Sequence, residues 1–199
     1  MQAPLFRENL WEDLSNYARL SDYAQLEGSI FDQAVFPGGE HFEYVAYLRH
    51  HGFPSPLLDW SESPYVAAFF AFRDFDPKIE KRSIFVYCDT PRGIRGGTIG
   101  KPMIQLLTGH TRTPRRHFFQ RSIYTVCESA ENGKWQFDSH QKVFDNADPN
   151  QDFLGKFDIP STEGARIMGL LDQYNLNAYS LFGSEESLLE TLWLRANRI

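Results

Sequence analysis

The 199-residue chain has only two cysteines, Cys88 and Cys127. Two are too few for a disulfide framework, and no Cys-x-x-Cys pair or Cys/His spacing suggests structural zinc. Both lie in apolar stretches, SIFVYCD and SIYTVCE, and are expected to be buried reduced thiols. No apolar run approaches the ~18 residues that spanning a bilayer requires. Met1 is followed by Gln-Ala-Pro rather than a basic and then apolar leader, so a cytoplasmic location is expected. Positive charge is not in excess. The net charge of -6 gives no overall attraction to phosphate, and a nucleic-acid partner would need a local basic patch. The sequence has no GxxxxGK[ST], no GxGxxG and no HExxH, and its six histidines are scattered without ligand spacing. No metal is expected.

Apolar and aromatic residues, by contrast, are plentiful. Hydrophobic residues make up 42% of the chain, with 17 Phe, 9 Tyr and 4 Trp, which argues against disorder and suffices for one core. A single domain over residues 1–199 is expected. One basic patch is present: Arg112, Arg115, Arg116 and Arg121, with His110 and His117 beside them. The plainer reading of such a run is a solvated face.

Apolar spacings of three and four over residues 10–36, from Leu10 and Leu14 to Ile30 and Val35, predict one or two helices, stopped by Pro37-Gly38-Gly39. A helix fits 40–50 with Phe42, Val45, Ala46 and Leu48 inward, ended by Gly52. Residues 53–62 read as loop or short strand because their prolines forbid a regular helix. Ser63-Pro64 reads as an N-cap followed by Pro at the first helical position, opening a helix through YVAAFFAFR whose small face is Ala67, Ala68 and Ala71. Residues 83–88 read as a buried strand, and 92–110 are glycine-rich without a clear period. Strands are expected in 117–127, 134–137 and 154–159, with a polar turn at 146–151. Pro160 opens a helix through Tyr174, residues 175–182 read as a short extended segment, and Ser184 caps a last helix with Glu185 and Glu186 in its first turn. The expected fold class is α+β, with central antiparallel or mixed strands bracketed by helices.

The densest segment is HHGFPSPLLDWSESPYVAAFFAF, from His50. A carboxylate, Asp59, and a hydroxyl, Ser61, sit among Leu57, Leu58 and Trp60 and must find hydrogen-bond partners. The plainer reading is a structural turn, with His50 as partner of Asp59. The functional reading is a polar cluster on a rigid loop facing a pocket.

This segment resembles the signature of the FRG domain family. The matching residues are His50, Gly52, Pro54, Leu57, Leu58, Asp59, Trp60, Ser61 in place of the usual Thr, Pro64, Ala67, Phe70 and Ala71. RHFFQRSIYTV is similar to the family's second block, through Arg116, Gln120 and Tyr124, and NLNAYSLFGSEESLLETL is similar to its C-terminal block. Together the blocks run over about residues 14–195. The chain departs from the family at its namesake motif: Phe6-Arg7 is followed by Glu8, so the Phe-Arg-Gly element is absent or divergent at 6–8.

The resemblance implies, by a further analogy, an ADP-ribosyltransferase-like fold and chemistry with NAD as substrate. On that reading His50, Asp59, Ser61, Glu185 and Glu186 are the candidate catalytic residues. Arg116 and Gln120 are the candidate cofactor-binding residues. Cleavage of the nicotinamide–ribose bond passes through a cationic state that a carboxylate stabilises, and cations suit the diphosphate. The plainer reading of Glu185 and Glu186 is that they complement a helix dipole, and that of Gln120, on an expected strand, is that it satisfies backbone groups. The implied function is an intracellular toxin or phage-defence effector acting on a protein or nucleic-acid acceptor, with a neutralising partner protein and no membrane association. Two other readings stay open: a nuclease or hydrolase in which His50 and Asp59 do acid–base work, and a non-catalytic binding module.

Overall fold

The computed structural model describes residues 46, 49, 55–74, 76–91, 93, 101–107, 115–131, 134–145 and 152–197. The helices expected over 10–36, the Pro37–Gly39 stop, the Phe6-Arg7-Glu8 element and the turn at 146–151 lie outside the described residues. Within the helix expected at 40–50, Ala46 and Arg49 are helical, and Ala46 is fully buried.

The described elements are β1 (Leu58–Ser61), α1 (Pro64–Phe72), β2 (Lys81–Cys88), β3 (Met103–Leu107), α2 (Arg115–Phe119), β4 (Ser122–Glu131), β5 (Lys134–Phe137), α3 (His140–Asp145), β6 (Phe153–Pro160), a 3₁₀ turn (Ser161–Glu163), α4 (Gly164–Gln173), α5 (Ala178–Phe182) and α6 (Glu185–Ala196). Two antiparallel sheets result, and the class is α+β. In one, β4 is flanked by β3 on one side and by β1 and then β5 along the other. The second is a two-stranded ribbon of β2 and β6, paired from Lys81↔Pro160 to Cys88↔Phe153.

Two cores follow from this layout. Val66, Phe69, Ala71 and Phe72 of α1 pack with Met168 and Leu171 of α4 and with Ala178 and Leu181 of α5, and the ribbon adds Ile84 and Ile159. The other core joins Ala46, Leu57, Leu107, Tyr124 and Val126 on one face of the β4 sheet. In α1 the capping reading holds: Ser63 is the N-cap, its side chain accepts from the Val66 N–H, and Pro64 opens the helix. Its small face is buried only in part: Ala71 is in the core with Val66, Phe69 and Phe72, whereas Ala67 and Ala68 are half-buried. The close approach comes from the other side, where a Cβ on Gly164 of α4 would stand 3.3 Å from the Phe72 ring.

Other boundaries differ from the sequence reading for physical reasons. β2 is not a buried strand: it lies in a two-stranded ribbon, and of its eight residues only Arg82 is buried. Cys127 is buried, but Cys88, at the end of that ribbon, is only half-buried. β4 starts at Ser122 because 115–119 form α2. The segment expected to be extended, 175–182, holds helix α5. Asn177 makes a reciprocal capping box with Ser180, and Gly183 at φ 67 ends the helix in the left-handed region. Ser184 starts α6 with the same reciprocal arrangement through Ser187. Among the described residues no helix is long and apolar enough to cross a membrane.

Candidate functional site

Strand β1 is set in place by its neighbours. The Ser55 hydroxyl accepts from the Leu57 N–H at 3.2 Å, and Leu57 and Leu58 are 1% and 2% exposed. Pairing with β4 puts Asp59 opposite Tyr124 and Ser61 opposite Ser122. In an antiparallel pair, directly opposed residues share a face, so Asp59, Tyr124 and Ser61 lie on one side of the sheet. Past the end of β1 the chain is stitched to the α2–β4 turn. The Ser61 hydroxyl donates to the Gln120 carbonyl at 2.7 Å and accepts from the Ser63 N–H at 3.1 Å. The Glu62 N–H donates to the carbonyl of Arg121, which holds the turn at φ 49.

On that face Asp59 accepts from Arg49 Nε at 2.9 Å. The Arg49 side chain is 7% exposed and that of Asp59 is 27% exposed, so the carboxylate keeps an open side while its cation is buried. His117 of α2 is buried and stacks on the Tyr124 ring, with centroids 5.6 Å apart and planes 18° apart. Its Nδ1 lies 3.3 Å from the Tyr124 hydroxyl. Burial pushes the Tyr124 hydroxyl well above its ordinary pKa. The Asp59 charge adds to the rise, and Arg116 and Arg49 oppose it. Burial lowers His117 below its ordinary 6.5 and outweighs the attraction of Asp59, so the imidazole is neutral at pH 7. One carboxylate, two guanidinium groups and a neutral imidazole therefore act on one phenol. Such a cluster can hold an anion or steady a developing positive charge, and it can accept a proton.

The sequence-predicted residues fall into two groups. Asp59, Ser61, Arg116 and Gln120 come together where β1 and β4 meet α2. Gln120 is not on a strand but in the turn after α2, and its Nε2 donates to the Leu181 carbonyl at 3.2 Å, as a backbone-satisfying residue does. That bond ties the β1 end of the sheet to α5. Glu185 and Glu186 lie just beyond α5, exposed in the first turn of α6. Glu186 is held below its ordinary range by the Ser184 side chain and by its own N–H. His50 lies outside the described residues.

Three members of the cluster were not placed in a site by sequence reasoning: Arg49, His117 and Tyr124. Tyr124 carried a signal, as a matched position in RHFFQRSIYTV. Arg49 adjoins the predicted His50. For His117 the basic run was the only pointer. The opposite face of the sheet holds a second polar chain. Trp60 Nε1 donates to Thr125 Oγ1 at 2.8 Å, and that oxygen lies 2.9 Å from Nε2 of His140. His140 is 3% exposed and burial pushes it down to about 3, so it stays neutral and serves the core. Among the described residues no group of three or more His, Cys, Asp or Glu is placed to hold a metal.

Compared with known families, the chain matches the FRG domain over residues 6–79, which takes in β1, α1 and Asp59. No curated protein and no solved structure matches it.

Proposed function

We propose that this chain, which carries an FRG domain over residues 6–79, is an NAD-dependent ADP-ribosyltransferase-like enzyme. On this reading it is an intracellular, cytoplasmic toxin or phage-defence effector that modifies a protein or nucleic acid. In the reaction the bond between the nicotinamide nitrogen and the ribose C1 breaks, and its electron pair leaves with nicotinamide. The acceptor's nucleophile supplies the new pair and gives up its proton. The ribose passes through a cationic state, as in glycoside cleavage, and a fixed carboxylate stabilises it.

The observation that carries this reading is Asp59. Its carboxylate is held by a buried guanidinium on a strand whose far end is stitched down, and about a quarter of the side chain is open to solvent. A carboxylate fixed in this way costs no reorganisation when positive charge develops beside it. Arg116 is the residue for the diphosphate, since guanidinium matches phosphate bidentately. Ser61 and Gln120 position the strand end. Glu185 and Glu186 are the second candidate carboxylates, and His50 stays a candidate beside Arg49.

The test is release of nicotinamide from NAD by the full chain, with transfer to acceptor followed by labelled NAD in a cell lysate. Asp59→Asn should lower release by ~10²–10³-fold in a folded protein. An unmodified chain that neither releases nicotinamide nor labels an acceptor would overturn the proposal. One observation favours a second reading, a nuclease or hydrolase: the neutral His117 imidazole beside Tyr124 and Asp59 is placed to serve as a base. RNA cleavage that is lost in His117→Gln would select it.

A further inference from the structure

Helix α6 turns its apolar side outward. Ser187 and Thr191 face the domain at 4% and 3% exposed, while Leu188, Leu189, Leu192 and Trp193 are 39%, 67%, 49% and 65% exposed. The inward face is polar but satisfied. Thr191 Oγ1 donates to the Ser187 carbonyl at 2.9 Å and accepts from the Tyr179 N–H at 3.0 Å, and Ser187 Oγ donates to the Ser184 carbonyl at 2.7 Å. Positions 188 and 192, and 189 and 193, form two adjacent i, i+4 rows on one side of the helix. With about 200 Å² for a fully exposed residue of this size, the four present on the order of 400 Å² of apolar surface, the size of a functional patch rather than of scattered single residues. The surface continues past the helix start. Phe119 of α2 is 51% exposed, and its ring stands 4.0 Å from where a Cβ on Gly183 would be.

We propose that this face is where two copies of the chain associate, with their α6 helices antiparallel about a two-fold axis. The helix is complementary to itself only in that arrangement. Glu185 and Glu186 stand exposed at one end of the apolar rows. Arg195 stands at the other end, with 49% of its side chain exposed although it already holds Asp172. Antiparallel docking sets the acidic end of each helix against the basic end of its partner and the leucines of one against Leu192 and Trp193 of the other. Parallel docking would oppose like charges. The four residues supply about half of the ~800 Å² per partner of a stable interface, and Phe119 extends them, so the pair is a weak, reversible one.

Sedimentation velocity on the full chain tests this. A monomer–dimer equilibrium with Kd on the order of 10 μM is expected, weakened by salt. Leu189→Glu and Trp193→Glu should each leave a monomer whose circular dichroism and melting temperature match those of the monomeric parent, because both side chains point away from the domain. A parent that stays monomeric to ~200 μM overturns the proposal. So does a dimer indifferent to both substitutions. A monomeric parent whose variants melt lower also overturns it, by showing that the chain covers this face itself.

Discussion

Glu128 offers the sharpest test of the structure, because its cost can be switched on by pH. It sits in the middle of the β4 sheet, between Met103 and Phe137, and is 7% exposed. Its side chain accepts from Gln105 Nε2 at 2.8 Å, and burial raises its carboxyl from the ordinary 4.5 to about 7. Lys142 of α3 pairs with Asp138 at 2.8 Å, and burial alone accounts for the rise at Glu128. In the unfolded chain the carboxyl loses its proton near 4.5; in the folded chain it keeps the proton until about 7. Between those values the folded state binds more protons, so stability falls as pH rises through the window, and the loss is complete above pH 7. A gap of this size corresponds to about 3 kcal/mol. Glu128→Gln keeps a carbonyl acceptor for Gln105 and removes the ionisation, at ~1 kcal/mol for one more amide N–H to satisfy. The variant should therefore be about 2 kcal/mol more stable than the parent at pH 8, some 4–8 °C in melting temperature for a chain of this length. At pH 4.5 it should be no more stable than the parent. Calorimetry of both proteins across pH 4.5–8.5 measures the difference. Parallel pH profiles would refute the reasoning, since they would mean that Glu128 ionises normally and is hydrated or paired.

Three further outcomes follow from particular contacts. Arg73 donates to both carboxylate oxygens of Glu190, at 2.7 and 2.6 Å, and lies 4.6 Å over the Phe182 ring. Both partners are about three-quarters covered, so Arg73→Ala should cost ~1–2 kcal/mol in urea unfolding, more than an open surface pair would. Asn177→Ala removes the α5 cap and a bond to Asp172, and should cost ~1–2 kcal/mol with faster amide exchange confined to 178–183. Ala68→Leu puts three extra carbons against the α1–α4–α5 core and should lower stability by ~1–3 kcal/mol, whereas an unchanged melting temperature would mean that the flank yields freely.

Local chemistry made several features readable in advance. Ser63-Pro64 could only begin a helix, and Ser184 with two glutamates after it could only begin another, because caps depend on residues within one turn. The strand at 134–137 was bounded correctly, and that at 154–159 to within one residue at each end. The block around Asp59 stood out because two prolines and two leucines pin a carboxylate that must find a partner. What failed depended on distant neighbours. Burial of β2 is decided by how many strands flank it, and no property of SIFVYC reports that number. The helix at 178–182 was hidden because its cap, Asn177, also reads as a turn residue.

By itself the sequence determined which residues would be chemically expensive to bury, where helices start, and that Asp59 and Ser61 belong to one rigid segment. Only the tertiary structure decided their company. Strand register is a long-range choice: it sets Asp59 beside Tyr124, and α2 then lays His117 over that ring. A shift of one residue would turn Asp59 to the opposite face, that of Thr125 and His140. The outward face of α6 is the converse case. Its period is legible in EESLLETLWLRA, but only the position of α5 fixes Ser187 and Thr191 as the buried side and leaves Leu189 and Trp193 to the solvent.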